Sequence, residues 1–248
     1  NSFCTLLAMF GLSKLLGFGE TPAAAPSDGE TSSATAPSST VDLVGKTFHS
    51  ADEPRALISV LTKKRGLLTS IGLGHNLQLS FPKFDAVFDG VGKLASVECD
   101  LQSIVVNASV DETLTKRLGS VSAANEKEIV GNTQGAKVLD VLQHPRAVFR
   151  PTEVSTSGIT GDLELHGVTK PISCDAISEP SSCGRDLLVA QLEANGLAAE
   201  HSNSVRWFRC RVHTPDFGIA PFSAAAGMLA LEPHVVVEAA VPMAPLSR

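Results

Sequence analysis

The chain has 248 residues, of which 43% are hydrophobic and only 19% charged, so it can bury a core as one large all-β domain or two small ones. Its formal charge is −6, and its basic residues are scattered apart from Lys63-Lys64-Arg65. A nucleic-acid surface needs clustered Lys and Arg, so no nucleic-acid partner is expected.

The N-terminal part of the chain has the composition of a leader and a linker. Residues 1–20 are apolar, but Lys14 interrupts them and the run is too short for a membrane span. With the alanines at 23–25 that follow, the run is typical of a truncated signal segment, which favours an exported, periplasmic protein; a floppy hydrophobic leader is the alternative. Residues 21–45 are rich in Ala, Pro, Ser and Thr and predict a disordered linker. The folded domain is therefore placed at residues 46–245.

Most of that domain alternates apolar and polar residues with the period of two that is typical of strands. One segment, residues 126–142, instead spaces its apolar residues at helical intervals, and His144-Pro145 ends it. The predicted strands cover residues 56–62, 77–89 with a break at Pro82, 96–107, 147–154, 158–165, 171–177, 187–194, 205–214 and 235–241.

Residues 161–176, GDLELHGVTKPISCDA, alternate on both sides of an interruption. Gly167 permits backbone angles that other residues avoid, and Pro171 cannot donate a ladder hydrogen bond. The stretch predicts two antiparallel strands joined through His166–Pro171, with Pro171 in the turn or at a sheet edge.

Eight or nine strands with one helical insertion favour an antiparallel barrel or sandwich over a parallel sheet. The interior of an eight-stranded barrel is just wide enough to be filled by side chains or to hold one small ligand. Large apolar residues can therefore line a cavity or pack on one another as a solid core. The residues concerned are Phe81, Phe84, Phe149, Leu163, Leu165 and Phe208.

Motifs for catalysis or metal binding are missing from the sequence. There is no G-x-S-x-G elbow, Walker loop or G-x-G-x-x-G, and no histidine stands at a zinc-ligand spacing, although His75, His144, His166 and His213 could converge in space. No catalytic residue and no metal ligand is predicted.

Cys99, Cys174 and Cys210 lie in strand-like runs, where a free cysteine acts as a small buried hydrophobe. The alternative is a Cys174–Cys183 pair across a loop, if the protein is exported.

Four segments resemble the YceI-like family of lipocalin-like, polyisoprenoid-binding bacterial proteins, over roughly residues 55–242. GDLELHGVTKPISCDA is similar to the family's hairpin, and RGLLTSIGLGHNLQLSF resembles its first barrel turn, with Gly74-His75-Asn76-Leu77 matching. EIVGNTQGAKVLDVLQHPRAVFRPTEV resembles its helix, His-Pro and following strand. DFGIAPFSAAAGMLALEPHVVVEAAVP resembles its closing segment, with Asp216, Phe217, Gly218, Ile219, Pro221 and Gly227 matching. Residues 178–185 and 194–204 are longer than the family pattern.

The resemblance implies an all-β, lipocalin-like, antiparallel eight-stranded barrel around a pocket for an isoprenoid quinone or another polyisoprenoid or fatty-acid-like lipid. Beyond that lipid no cofactor is expected; transient membrane contact and a homodimer are compatible with this function. His75, His166 and Asp216 are the predicted partners of the lipid head group. The predicted pocket lining is Leu79, Phe81, Phe84, Val97, Leu101, Phe149, Leu163, Leu165, Phe208, Phe217 and Phe222.

Two other functions remain open at this stage. One is a histidine-dependent metal-binding protein, or a hydrolytic or redox accessory enzyme, that uses one end of the barrel. The other is an interaction module with a filled core.

Overall fold

The computed structural model of the chain describes residues 45, 47–66, 74–90, 94–224, 226 and 228–242. The predicted leader at 1–20 lies outside these residues, as does the predicted linker at 21–45 except for Gly45. Within the described residues, none of the helices has the length and apolar character needed to cross a membrane.

Strands dominate the described part of the chain. Their bounds are β1 Thr47–His49, β2 Leu57–Thr62, β3 Lys64–Arg65, β4 Asn76–Ser80, β5 Phe84–Phe88, β6 Leu94–Asp100, β7 Val105–Val110, β8 Arg117–Gly119, β9 Arg146–Val154, β10 Gly158–Leu165, β11 Val168–Ile177, β12 Val205–His213, β13 Ser223–Ala224, β14 Leu229–Leu231 and β15 His234–Pro242. Two α-helices, α1 Ala123–Gln134 and α2 Ser182–Ala194, interrupt them, and short 3-10 turns lie at Ser50–Asp52, Leu101–Ser103, Ala199–Ser204 and Thr214–Phe217.

The main sheet is antiparallel and curls round on itself. β4 continues into β5 through a bend at Pro82, and β6 continues into β7 through the turn Leu101–Ser103, so each pair is one long bent strand. β4 pairs with β2 and β7, while β5 pairs with β6, and β6 pairs with β9. The pairing then runs through β10, β11, β12 and β15 back to β2. Eight long strands therefore surround the interior, as predicted, and β1 and β8 add short outer edges.

Helix α1 is shorter than the predicted helix at 126–142. Its N-terminus is capped by Ser122, whose side chain accepts the Asn125 N–H at 3.3 Å, and it ends at Gly135. Glycine weakens helix propagation and is common just beyond helix ends. The following residues form turns, which carry Leu139 and Val141 into the core formed with Leu77 and Leu79.

The strand predicted at residues 187–194 is wrong, because these residues belong to helix α2. Ser181 caps the helix by accepting the Gly184 N–H at 3.1 Å. Leu188 and Leu192 are one helical turn apart and fully buried, and they pack against Leu57 and Trp207. The run LLVA is apolar and short, so periodicity alone could not distinguish a strand from the buried face of a helix.

The hairpin of β10 and β11 is confirmed, with a tighter turn than the predicted one. Leu165 pairs with Val168, so only His166 and Gly167 form the turn, with φ values of +52° and +74°. Two positive φ values are the signature of a type I′ turn, which suits the twist of the strands. Pro171 lies within β11 and pairs with Asp162, where β11 is not yet paired with β12. The proline therefore lies at a local sheet edge, one of the two predicted places.

Replacing Gly167 with Val should destabilise the fold by about 1–3 kcal/mol for the left-handed backbone alone. An added Cβ would also lie 2.8 Å from His144 Cε1, so the expected loss exceeds that value. Gly196→Val is the matched control, because Gly196 has φ +72° with no atom within 4 Å of its Cβ position. Urea unfolding measures the loss of unfolding free energy in both variants. Equal losses in Gly167→Val and Gly196→Val would show that the His144 contact contributes nothing.

Candidate functional site

The barrel encloses a cavity of about 800 Å³. On β12 its wall is formed by Arg206, Phe208, Cys210 and Val212, which alternate along the strand as inward-facing residues must. Six residue steps at about 3.4 Å place the ends of this set about 20 Å apart. The cavity is therefore elongated and follows the strands for most of their length.

The cavity wall is mainly apolar. β10 contributes Ile159, Leu163 and Leu165, and β15 contributes Val235, Val237, Ala239, Ala240 and Val241. Gly161 continues the β10 alternation, and a Cβ there would lie 2.6 Å from the Phe149 ring, so this glycine makes room for the aromatic side chain. An elongated apolar cavity of this size lies within the range of small-molecule sites.

Helix α1 supplies a polar part of the wall. Five of its residues face the cavity at spacings of three, one, three and one, which place them on one side of a helix. These residues are Asn125, Glu128, Ile129, Asn132 and Thr133. Sequence reasoning missed this face, although the same spacing is visible in the sequence.

Ten of the eleven residues predicted to line the pocket are brought together around this cavity. They are Leu79, Phe81, Phe84, Val97, Leu101, Phe149, Leu163, Leu165, Phe208 and Phe222. The eleventh, Phe217, does not contact it. Its side chain is 2% exposed and lies in the core near Ile219, because the 3-10 turn Thr214–Phe217 directs it there. Whether the ten bind a ligand stays a prediction.

Only one of the three predicted head-group residues lines the cavity. His75 lines the cavity and is exposed at one end of it. His166 follows the inward-facing Leu165 and occupies the hairpin turn, where its ring centroid is 4.9 Å from that of His144. Asp216 Oδ1 lies 2.8 Å from His213 Nδ1. His166 and Asp216 are not part of the cavity wall, because both belong to turns beyond the strand ends.

Arg206 lies in the cavity wall at one end, and the sequence analysis did not predict this charged residue there. Its Nε is buried and has no hydrogen-bond partner among the described residues, while Nη2 donates to the Thr156 carbonyl. The guanidinium carbon lies 5.7 Å from the centre of the Phe208 ring, a favourable cation–π distance. The strand alternation at 205–214 gives the inward direction of this side chain, so the signal was present.

Cys99 is free and buried, as predicted, but Cys174 and Cys210 differ from both sequence-based alternatives. Cys174 is bonded to Cys210 across neighbouring strands, where the two residues are register partners. The Cys174–Cys183 alternative is therefore wrong, and neither Cys174 nor Cys210 is free. Cys183 is a buried free thiol in the first turn of α2. Burial raises the pKa of the Cys99 thiol, which lines the cavity, to about 12.

Comparison with known proteins assigns the family. The YceI-like domain profile matches residues 67–242, well over half of the chain. The chain belongs to the YceI-like family. The resemblance seen in the sequence is thereby confirmed.

Curated relatives and a solved structure are similar to parts of the chain. A UPF0312 protein of Pectobacterium carotovorum is 35% identical over 109 residues, which cover 42% of this chain and 50% of the relative. A UPF0312 protein of Vibrio cholerae is 34% identical over 94 residues, covering 36% and 45%. The chain spans about half the length of the curated relatives it matches. The crystal structure of Burkholderia cenocepacia BcnA superposes with a TM-score of 0.39 at 13% identity, covering 75% of this chain and 94% of that one.

Within this YceI-like domain, the geometry separates two regions. The cavity provides a long apolar surface with polar groups near its ends and on α1. A second group of polar side chains, Asp140, His144 and His166, lies outside the cavity wall. The cavity suits an apolar ligand, whereas the second region presents one carboxylate and two imidazoles.

Proposed function

We propose that this YceI-like domain binds one long-chain lipid in its barrel and acts without catalysis. The observation that carries the proposal is the elongated, mainly apolar cavity of about 800 Å³. A solid-core interaction module does not need such a space. Catalysis would need a nucleophile or an acid–base pair aimed into the site, and the inward residues of β10, β12 and β15 are nearly all aliphatic, aromatic or sulfur-containing.

The size of the cavity fits a lipid tail. One water occupies about 30 Å³ in the liquid, and a methylene group is of similar size, so the cavity has room for roughly 25 such groups. Each buried methylene contributes about 0.8 kcal/mol. A tail of a dozen or more carbons can therefore offset the loss of freedom on binding without many polar contacts.

Arg206 is the proposed partner of the lipid head group. Its buried Nε–H has no acceptor among the described residues, and a buried donor without a partner costs free energy. A fatty-acid carboxylate or a quinone carbonyl placed at this end would accept a hydrogen bond from the guanidinium once the Arg206 side chain turns toward the cavity, because its Nε is now covered by protein atoms. The carboxylate gains more because its bond to a guanidinium is charge-assisted. His75 remains a candidate at the other end, as predicted from the sequence.

Filling part of the cavity should weaken lipid binding while leaving the fold intact. Ala147→Trp projects a large side chain into the cavity, and we expect affinity for palmitate to fall at least tenfold, or about 1.4 kcal/mol. Val148→Trp is the matched control. Val148 is the next residue on β9 and lies between Arg146 and Arg150, which pair with Glu98 and Glu164 on the outer face.

Native mass spectrometry of the purified full chain, followed by extraction, identifies a co-purified lipid, and titration with palmitate or a ubiquinone measures affinity. Arg206→Met should lower the affinity for palmitate more than the affinity for ubiquinone. Uptake of neither probe by the wild-type chain, together with a lipid-free mass, would contradict the proposal. Equal binding by both Trp variants would place the ligand outside the barrel.

A further inference from the structure

Three side chains that no comparison assigns a role lie together beside the hairpin turn. Asp140, His144 and His166 each present a ligand atom, and these atoms all lie within 4.8 Å of one another. We infer that they form a binding site for a divalent transition metal, with zinc as the best chemical fit. The inference does not depend on the lipid proposal, because none of the three side chains is part of the cavity wall.

The turn after α1 places two of the three ligands on one side. The His144 N–H donates to the Asp140 carbonyl at 2.8 Å, which closes a single helical turn between residues four apart. This turn brings residues 140 and 144 together, and their ligand atoms lie within 4.8 Å of each other. Asp140 has φ +43°, a conformation that Asp and Asn adopt more readily than most residues. The backbone therefore holds the carboxylate and the imidazole near each other.

The hairpin turn brings the third ligand to them. His166 is the first residue of the two-residue turn, and its ring centroid lies 4.9 Å from that of His144. The His144 ring also packs over Gly167, where a Cβ would lie 2.8 Å from Cε1. Glycine at this position therefore permits the close approach of the two segments. Their contact is a feature of the fold and does not require an ion.

The donor set and its spacing suit zinc. Two imidazoles and one carboxylate are typical of zinc sites with three protein ligands and a fourth position for water, at ligand distances of about 2.0–2.2 Å. Tetrahedral ligands at that distance are about 3.4 Å apart, so no pair of ligand atoms has to close by more than about 1.4 Å. All three residues are half-buried, which leaves side-chain rotations free to make this change. Magnesium and calcium prefer all-oxygen ligands and fit less well.

Metal binding at this site would fix part of the cavity wall. Val138 and Leu139 line the cavity and directly precede Asp140, while Leu165 lines it and directly precedes His166. A shared ion would cross-link these two segments at one end of the barrel. The proposed role is therefore a metal cross-link that stabilises the cavity end.

Titration of the EDTA-treated full chain with Zn²⁺ by calorimetry, and with Co²⁺ by visible absorption, tests the site. We expect one ion per chain and the absorption bands of tetrahedral cobalt. Asp140→Asn, His144→Gln and His166→Asn should each lower Zn²⁺ affinity by more than the roughly 10–100-fold that loss of an outer-shell partner costs. Zn²⁺ should also raise the melting temperature of the wild type and of none of these variants.

The substitutions are chosen to preserve the fold. Asn-Gly is the preferred sequence for a type I′ turn, so His166→Asn keeps the hairpin while removing the imidazole. Asn also tolerates the positive φ of Asp140. Unchanged Zn²⁺ affinity in His166→Asn would overturn the inference.

A neighbouring pair of histidines supplies the control. The rings of His213 and His234 are 4.5 Å apart, and Asp216 lies 2.8 Å from His213, yet these three do not meet the same ligand spacing. His234→Asn should leave Zn²⁺ affinity unchanged. Loss of binding in His234→Asn but not in His144→Gln would assign the ion to this other pair and contradict the inference.

Discussion

Replacing Glu238 with Ala should lower the free energy of unfolding by about 3 kcal/mol, at the lower end of the 3–5 kcal/mol typical for breaking a buried ion pair. The Glu238 side chain is 1% exposed, whereas its partner Arg209 is 40% exposed. Water can therefore partly solvate the guanidinium in the variant, which is why the lower end is expected. Midpoints of urea unfolding for the wild type and the variant measure the difference.

The expected loss reflects the position of Glu238 between the barrel and α2. One carboxylate oxygen accepts the Arg209 Nε–H at 3.0 Å and the Ser181 N–H at 3.1 Å, and the other accepts the Ser181 hydroxyl. A negative charge is favourable at a helix N-terminus. The site is closely packed, because a Cβ on Gly184 would lie 2.4 Å from Glu238 Oε2. Glu238 thus attaches the first turn of α2 to β15.

Glu164→Ala is the control for this prediction. Glu164 pairs with Arg150 at 2.9 Å, and both side chains are 41–49% exposed. Exposed pairs contribute about 0–1 kcal/mol, so this variant should remain close to the wild type. A Glu238→Ala variant as stable as Glu164→Ala would show that the buried network does not hold α2.

How far the sequence predicts this structure depends on the range of the interactions involved. The turn at His166-Gly167 and the inward direction of Phe149, Leu163 and Phe208 follow from local signals, namely glycine and a period of two. The turn was predicted over His166–Pro171 and is confined to His166-Gly167, whereas the three side chains line the cavity as expected.

Features that depend on contacts between distant segments were not predictable in the same way. Helix α2 forms because Leu188 and Leu192 bury against Trp207, and a short apolar run does not carry that information. The grouping of Asp140 and His144 with His166 depends on which hairpin turn meets which loop. Arg206 lay in a correctly predicted strand, but charged residues are mostly exposed, so it was not considered as a lining residue.

The Cys174–Cys210 bond illustrates the same limit and leads to a second large expected effect. The two cysteines are 36 residues apart, and their pairing follows only from the register of β11 with β12. Closing a loop of this length in the unfolded chain is worth between about 3 and 4.7 kcal/mol in the chain-entropy model. The double variant Cys174→Ala/Cys210→Ala should therefore lose about 3–4 kcal/mol relative to the oxidised wild type.

Urea unfolding of the double variant, with and without a reductant, tests the value. The reductant should not change the unfolding midpoint of the variant, whereas it should lower the midpoint of the wild type once the buried sulfurs have been reduced during unfolding.

Cys99→Ala removes a single sulfur from the same cavity wall and no cross-link, so its cost should be about 1 kcal/mol. A loss in the double variant of only about twice that of Cys99→Ala would mean that the bond stabilises only through packing of its two sulfur atoms. A loss beyond that value would assign the excess to the cross-link between β11 and β12, the two strands that carry these cysteines in the cavity wall.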